Sequence, residues 1–131
     1  MALEILLPQG WPRPKGYANG VLAEGRIVFV AGQIGWDEAG EFPDPSFAGQ
    51  FRQTLLNTLA VLKAGGAGPE HVARMTWFIT DKKAYLAALA DIGAIWRELF
   101  GRHYPAMAVV VVAALIEDKA MVEIETTAVV P

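Results

Sequence analysis

Two glutamates near the end of the chain have the spacing of a proton-handling pair. In Val122-Glu123-Ile124-Glu125-Thr126 apolar or neutral residues alternate with acids, which is the period of a strand. Glu123 and Glu125 then share one face, about 6.5–7 Å apart along the strand. Val122, Ile124, Thr126 and Ala128 point the other way. A carboxylate on a strand beside an apolar neighbour can hold or move a proton near neutral pH. The plainer alternative is a pair of solvated acids on a polar sheet face, and spacing alone does not choose.

The other reactive side chains are few. His71 sits in a polar turn and reads as a surface residue. His103, in Gly101-Arg102-His103-Tyr104-Pro105, precedes an apolar strand. It either points into a pocket or serves as a cation at a helix C-terminus. No second histidine is near it in sequence, which argues against a metal site. The chain has no cysteine, so no disulfide, thiolate zinc site or cysteine nucleophile exists. Ser46 is the only serine and fits a helix start better than an attack on a carbonyl. Gly16, Gly20, Gly25, Gly32 and Gly35 lack the spacing of a phosphate loop, and no lysine follows them. Trp77 and Trp96 fall on core stripes, whereas Trp11 and Trp36 sit in loops that could line a cleft.

The elements that must position these residues follow from periodicity and punctuation. Residues 8–16, with three prolines and two glycines, make an extended arm. Ala18–Ala23 and Arg26–Ile34 read as strands, with Glu24-Gly25 as a hairpin turn. Gly35–Pro45 is a loop. Asp44-Pro45 opens a helix whose inward stripe is Phe47, Phe51, Leu55, Leu59 and Leu62, and Gly65-Gly66 ends it. Arg74–Thr80 alternates as a strand. Asp81 caps a second helix with Tyr85, Leu89, Ile92, Trp96 and Leu99 inward, and Gly101 stops it. Strands over Ala106–Leu115 and Ala120–Val129 complete the order β-β-α-β-α-β-β. This is an α+β sandwich, two helices on one face of a mixed sheet.

A chain of 131 residues predicts one domain. Net charge is −3, and no basic stripe exists, which argues against a nucleic-acid partner. Met1–Pro8 is too short and too poor in basic residues for a signal peptide, so the expected location is cytoplasmic. The longest apolar run, Ala106–Ile116, is eleven residues, well short of the roughly twenty a membrane helix needs. Yet hydrophobic residues make up 53% of the chain, and both alternating sets of Ala106–Leu115 are apolar. Helices can cover one face of that strand, and another copy of the chain is the economical cover for the second.

Six segments in order resemble the Rid/YjgF family, also labelled endoribonuclease L-PSP. They are Gly16-Tyr17 with Asn19-Gly20, Ala31-Gly32-Gln33-Ile34, Gln50-Phe51-Arg52-Gln53, Asn57, Tyr104-Pro105-Ala106, and Val122-Glu123-Ile124-Glu125. The resemblance implies a chorismate-mutase-like fold and a trimeric barrel with clefts between subunits. Active members hydrolyse imines and enamines such as 2-aminoacrylate to keto acids and ammonia, with no cofactor. It places Tyr17 in the cleft, the Gly32 backbone close to the ligand, and Glu123 at the position that orients or activates water.

One departure bears on substrate. The deaminating branch has an arginine after Pro-Ala that grips the substrate carboxylate, and here Met107 follows Pro105-Ala106. Methionine has neither charge nor donor fork. Two positions on, an often cysteine or small polar site is Val109, and an asparagine of the second helix aligns with Gly93. A charge-assisted contact contributes about 1.5–3 kcal/mol, so 2-imino acids should bind at least roughly tenfold more weakly. The expectation is an apolar intersubunit cleft floored by Met107 and Val109, with Glu123 as its acid. Its ligand is an imine or enamine other than a 2-imino acid. The alternative is a non-catalytic binder or regulator on the same trimer, and an endoribonuclease or translation inhibitor is the weakest reading.

Overall fold

The computed structural model describes residues 3–131, so the first two residues of the Met1–Pro8 stretch lie outside the described residues. In chain order the elements are β1 (Leu3–Leu6), β2 (Gly20–Ala23), β3 (Arg26–Ile34), α1 (Phe47–Ala64), β4 (Val72–Ile79), α2 (Lys82–Ala87), α3 (Leu89–Phe100), β5 (Ala106–Val111) and β6 (Val122–Val130). The main sheet has the order β3-β6-β4-β5. β6 runs antiparallel to both neighbours, and β4 and β5 are parallel. This is the expected α+β class, with α1 and α3 packed on one face of a mixed sheet.

Local chemistry explains α1. The Ser46 hydroxyl accepts the Gly49 amide at 3.0 Å and caps the helix. Asp44, the expected cap, acts one step earlier and accepts the Ser46 amide at 2.8 Å. Hydrogen bonding from the Ser46 side chain, and then from its amide, holds the Asp44 carboxyl below the usual range. Phe51, Leu55 and Leu62 are fully buried. They meet Met75, Trp77 and Ile79 of β4 and Val122, Ile124 and Ala128 of β6. Trp77 joins the layers, its ring 4.8 Å from Phe51 and 5.9 Å from Trp96.

Four expectations are corrected. The Ala18–Ala23 and Arg26–Ile34 segments do not pair with each other. β2 pairs with β1, an unpredicted strand, and β3 pairs with β6. Gly25, at φ 146°, instead lies against the Val130 carbonyl, where a Cβ would collide. The second helix is two, broken at Ala88, where neither proline nor glycine marks a stop. The strand from Ala106 ends at Val111, not Leu115, because its partner β4 ends at Ile79. The last strand begins at Val122.

The second face of the sheet carries Arg74, Thr76 and Phe78 of β4, and Glu123, Glu125 and Thr127 of β6. Ile27 and Phe29 of β3 extend it at 57% and 76% exposure. Arg74, Val110 and Glu125 are also exposed on this face, whereas Val129 at its end is buried. The apolar second side of β5, Ala106, Ala108 and Val110, belongs to it.

Candidate functional site

A cavity of about 500 Å³ opens between the α2–α3 layer, the start of β5 and the arm around Tyr17. The arm is fixed there because the Ala18 amide donates to the Pro105 carbonyl at 2.9 Å, and Ala18 bridges Ala106 in parallel. That places Tyr17 at the cavity with Met107 and Val109, which register beside Met75 and Trp77 of β4. Three of the predicted binding residues therefore meet in one space, and Gly93 lines it too. Tyr85 contributes a half-buried phenol whose ionisation burial pushes up. Trp77 and Trp96 are core residues, as predicted, and also cavity walls. The buried Trp77 indole N–H has no hydrogen-bond partner among the described residues.

Gly32 and Glu123 meet each other elsewhere. Between Val30 and Gln33 the β3–β6 register slips, so Ala31 and Gly32 share one step of β6. The Glu123 carboxylate lies against the Gly32 backbone, where a Cβ would collide with it. Glu123 is half-buried and Glu125 exposed, which separates two acids that spacing left equivalent. The Glu123 carboxylate accepts no hydrogen bond among the described residues, so it is not spent on backbone amides.

The two groups lie on opposite faces of the sheet. Met107 and Val109 are on the side of α1 and α3, while Glu123 registers with Phe78 on the other side. Within one protomer, then, Glu123 and the Met107 cavity are separated by the sheet, and the expected site was one between subunits.

Other candidates have structural work. The His103 ring nitrogen Nε2 lies 2.6 Å from the Val72 carbonyl, and the His103 carbonyl accepts the Trp96 indole N–H at 3.1 Å. His71 is half-buried rather than a surface residue, and its Nδ1 accepts the Gly68 amide at 2.9 Å. Asn57 donates to the Ile34 and Trp36 carbonyls at 2.9 and 2.8 Å, fastening the loop after β3 to α1. Neither Trp11 nor Trp36 lines the main cavity. Sequence reasoning missed its two cations, Lys15 and Arg97. Arg97 stands four residues after Gly93, a spacing that shares one helix face and was the available signal.

A family model described as Endoribonuclease L-PSP matches residues 12–130. A RutC family protein of Pyrococcus horikoshii is 31% identical over 126 residues, covering 95% of this chain and 96% of that protein. The human 2-iminobutanoate/2-iminopropanoate deaminase is 30% identical over 114 residues, covering 86% of this chain and 79% of the human one. The crystal structure of YyfB, a Rid-family protein of Yersinia pestis, superposes with a TM-score of 0.87 at 29% identity, covering 99% and 100% of the two chains. Shared sequence and shared shape over this length have one meaning: the chain belongs to the Rid/YjgF family.

Proposed function

We propose that the chain is a cytoplasmic homotrimeric imine or enamine hydrolase whose cleft lies between copies. The observation that carries this is the Glu123 carboxylate, seated on Gly32 without a hydrogen bond among the described residues, on the sheet face that exposes Phe29 and Glu125. A second copy packed on that face would bring its own cavity of Tyr17, Met107 and Val109 to the acid. The deaminase activity named for the human relative supports the reaction class. In the hydrolysis, water adds to the C=N carbon, Glu123 of the partner subunit takes and returns the proton, and the C–N bond breaks to leave a carbonyl and ammonia. No cofactor enters this balance. The acidic net charge, −3, favours a small molecule over RNA.

Met107 shapes the substrate. It leaves the β5 wall of the cavity without a charge for an α-carboxylate, which favours an imine that lacks this group or carries it away from the reacting carbon. The same residue favours a second reading, a binder or regulator without turnover. The test generates imines with an amino-acid or amine oxidase and follows their loss with and without the protein. Faster loss of an imine without an α-carboxylate, abolished by Glu123→Gln, supports hydrolysis. Tight binding with no acceleration of any imine supports the binder.

A further inference from the structure

The cavity that lacks a cation on β5 has one on α3. The Arg97 side chain folds back along the helix, as helical side chains do, and its guanidinium lies over Gly93. A Cβ built at Gly93 would stand 3.3 Å from Nη1 and 4.0 Å from both Cζ and Nη2. A methyl there would press on the guanidinium and shift it by a few tenths of an ångström, so glycine gives the arginine its closest approach to the helix. A glycine inside a helix costs about 1 kcal/mol relative to alanine, and here the cost coincides with an arginine brought to a cavity wall.

Nothing neutralises that charge. Arg97 forms no ion pair or side-chain hydrogen bond among the described residues. Its sequence neighbour Glu98 is already engaged by Arg52 in a two-point pair. The positions three and four before and after Arg97 are Ala94, Gly93, Phe100 and Gly101, none of them acidic. The cavity wall includes no aspartate or glutamate, but it does include Lys15. The rest of the wall is mostly apolar, with Leu89, Ile92, Trp96, Met107 and Val109, and the tyrosines at 17, 85 and 104 add phenol groups to it. Two exposed cations at the rim of one apolar wall offer an anion charge-assisted hydrogen bonds while its apolar body lies against the wall.

We infer that Arg97, lying over Gly93 and assisted by Lys15, is the anion-binding group of this cavity, and that its ligand is a small carboxylate with an apolar or aromatic body. This rests on the cavity being the ligand site of the proposed function, and it adds where the carboxylate lies: at α3 rather than at β5. An anion held there leaves Met107 and Val109 in contact with the apolar part of the molecule. It also sets the carboxylate away from the β5 wall, which suits an imine whose charge is remote from the C=N bond.

Isothermal titration at pH 7 with two probes tests it, 3-phenylpropanoate and its uncharged amide. The full chain should bind the carboxylate at least tenfold more tightly than the amide. Arg97→Gln should erase that preference while leaving amide affinity unchanged, and Arg97→Lys should retain part of it. Arg97 is exposed, so the variants should fold, and unchanged thermal melts check this. Equal affinity for both probes in the wild-type chain, or an undiminished preference in Arg97→Gln, overturns the role of Arg97 while leaving the cavity a ligand site. Failure of both probes to bind overturns the role of Arg97 and the ligand-binding cavity together. Glu123 is unaltered throughout, so neither result depends on turnover.

Discussion

Glu123 rests its carboxylate on the backbone of Gly32, and the bulge in β3 is what brings the two together. Glu125, two residues along the same face, projects into solvent. Glu123→Gln should therefore abolish imine hydrolysis with little change in thermal stability, and Glu125→Gln should leave it near wild type. Gly32→Ala should act like the Glu123 variant, because its methyl takes the space of the carboxylate. Activity surviving in Glu123→Gln but lost in Glu125→Gln would transfer the role to the neighbouring acid.

The open sheet face gives a mass prediction. Light scattering in dilute buffer should return about three times the 14.1 kDa chain mass. Phe29, 76% exposed on that face, is the residue to break it. Phe29→Asp should lower the mass toward that of one chain, since burying an unpaired carboxylate is costly. A soluble wild-type monomer would remove the intersubunit cleft.

Met107 predicts poor deamination of 2-aminoacrylate, measured by generating it with a companion enzyme and following its loss. Met107→Arg adds a donor fork to the β5 wall. It should raise affinity for 2-oxo acids, the stable counterparts of 2-imino acids, by about tenfold to a hundredfold. Wild-type turnover equal to that of a relative with an arginine there would show that Arg97 reaches an α-carboxylate too.

Gln50 is 2% exposed and holds the approach to β6 from both sides. Its Nε2 donates to the Lys119 carbonyl and its Oε1 accepts the Met121 amide, each at 2.8 Å. Gln50→Leu strands both backbone groups and should cost about 2–4 kcal/mol. A urea midpoint unchanged by this substitution would mean that the turn finds other partners.

Tyr85 carries a pH prediction. Burial raises its phenol above the ordinary value, so the folded chain prefers the neutral form. The associated stability is present below pH about 10, where the unfolded phenol titrates, and is lost as pH rises through the folded value. Tyr85→Phe should flatten this alkaline loss, read as denaturation midpoints at pH 9 and 11. The Arg52–Glu98 pair has the opposite sign, because Arg52 lowers the Glu98 carboxyl. Its contribution is lost as pH falls, and exposure leaves it weak and salt-sensitive.

What was legible in the sequence was local. The α1 stripe and its glycine stop are contained in one stretch of chain, and so are the strand periods of β4 and β6. The Glu24-Gly25 hairpin obeyed the same local logic, yet β3 found its partner in β6 at the far end of the chain. β1 was missed because its pairing comes only from β2, across the whole proline-rich arm. β5 was read too long because apolar composition continues past Val111, whereas pairing stops where β4 does. The last bond there is the Val112 amide to the Ile79 carbonyl, 2.8 Å. Within the site, Tyr17, Met107 and Val109 were found by motif. Arg97 was not, because its relation to Gly93 has meaning only once the cavity exists.

The sheet order β3-β6-β4-β5 has a consequence for how the protein is made. β6 follows every other strand of this sheet in the chain, yet it is paired on both sides within it. Before Val122–Val130 emerges, β3 has no partner in that sheet, and the β4–β5 pair has no ladder to it. The nascent chain can form helices early, since their hydrogen bonds are local. The hydrophobic layer beneath them cannot close until Val122–Val130 has emerged. Until then Met75, Trp77 and Ile79 lack their β6 neighbours, which makes the unfinished chain a client for chaperones.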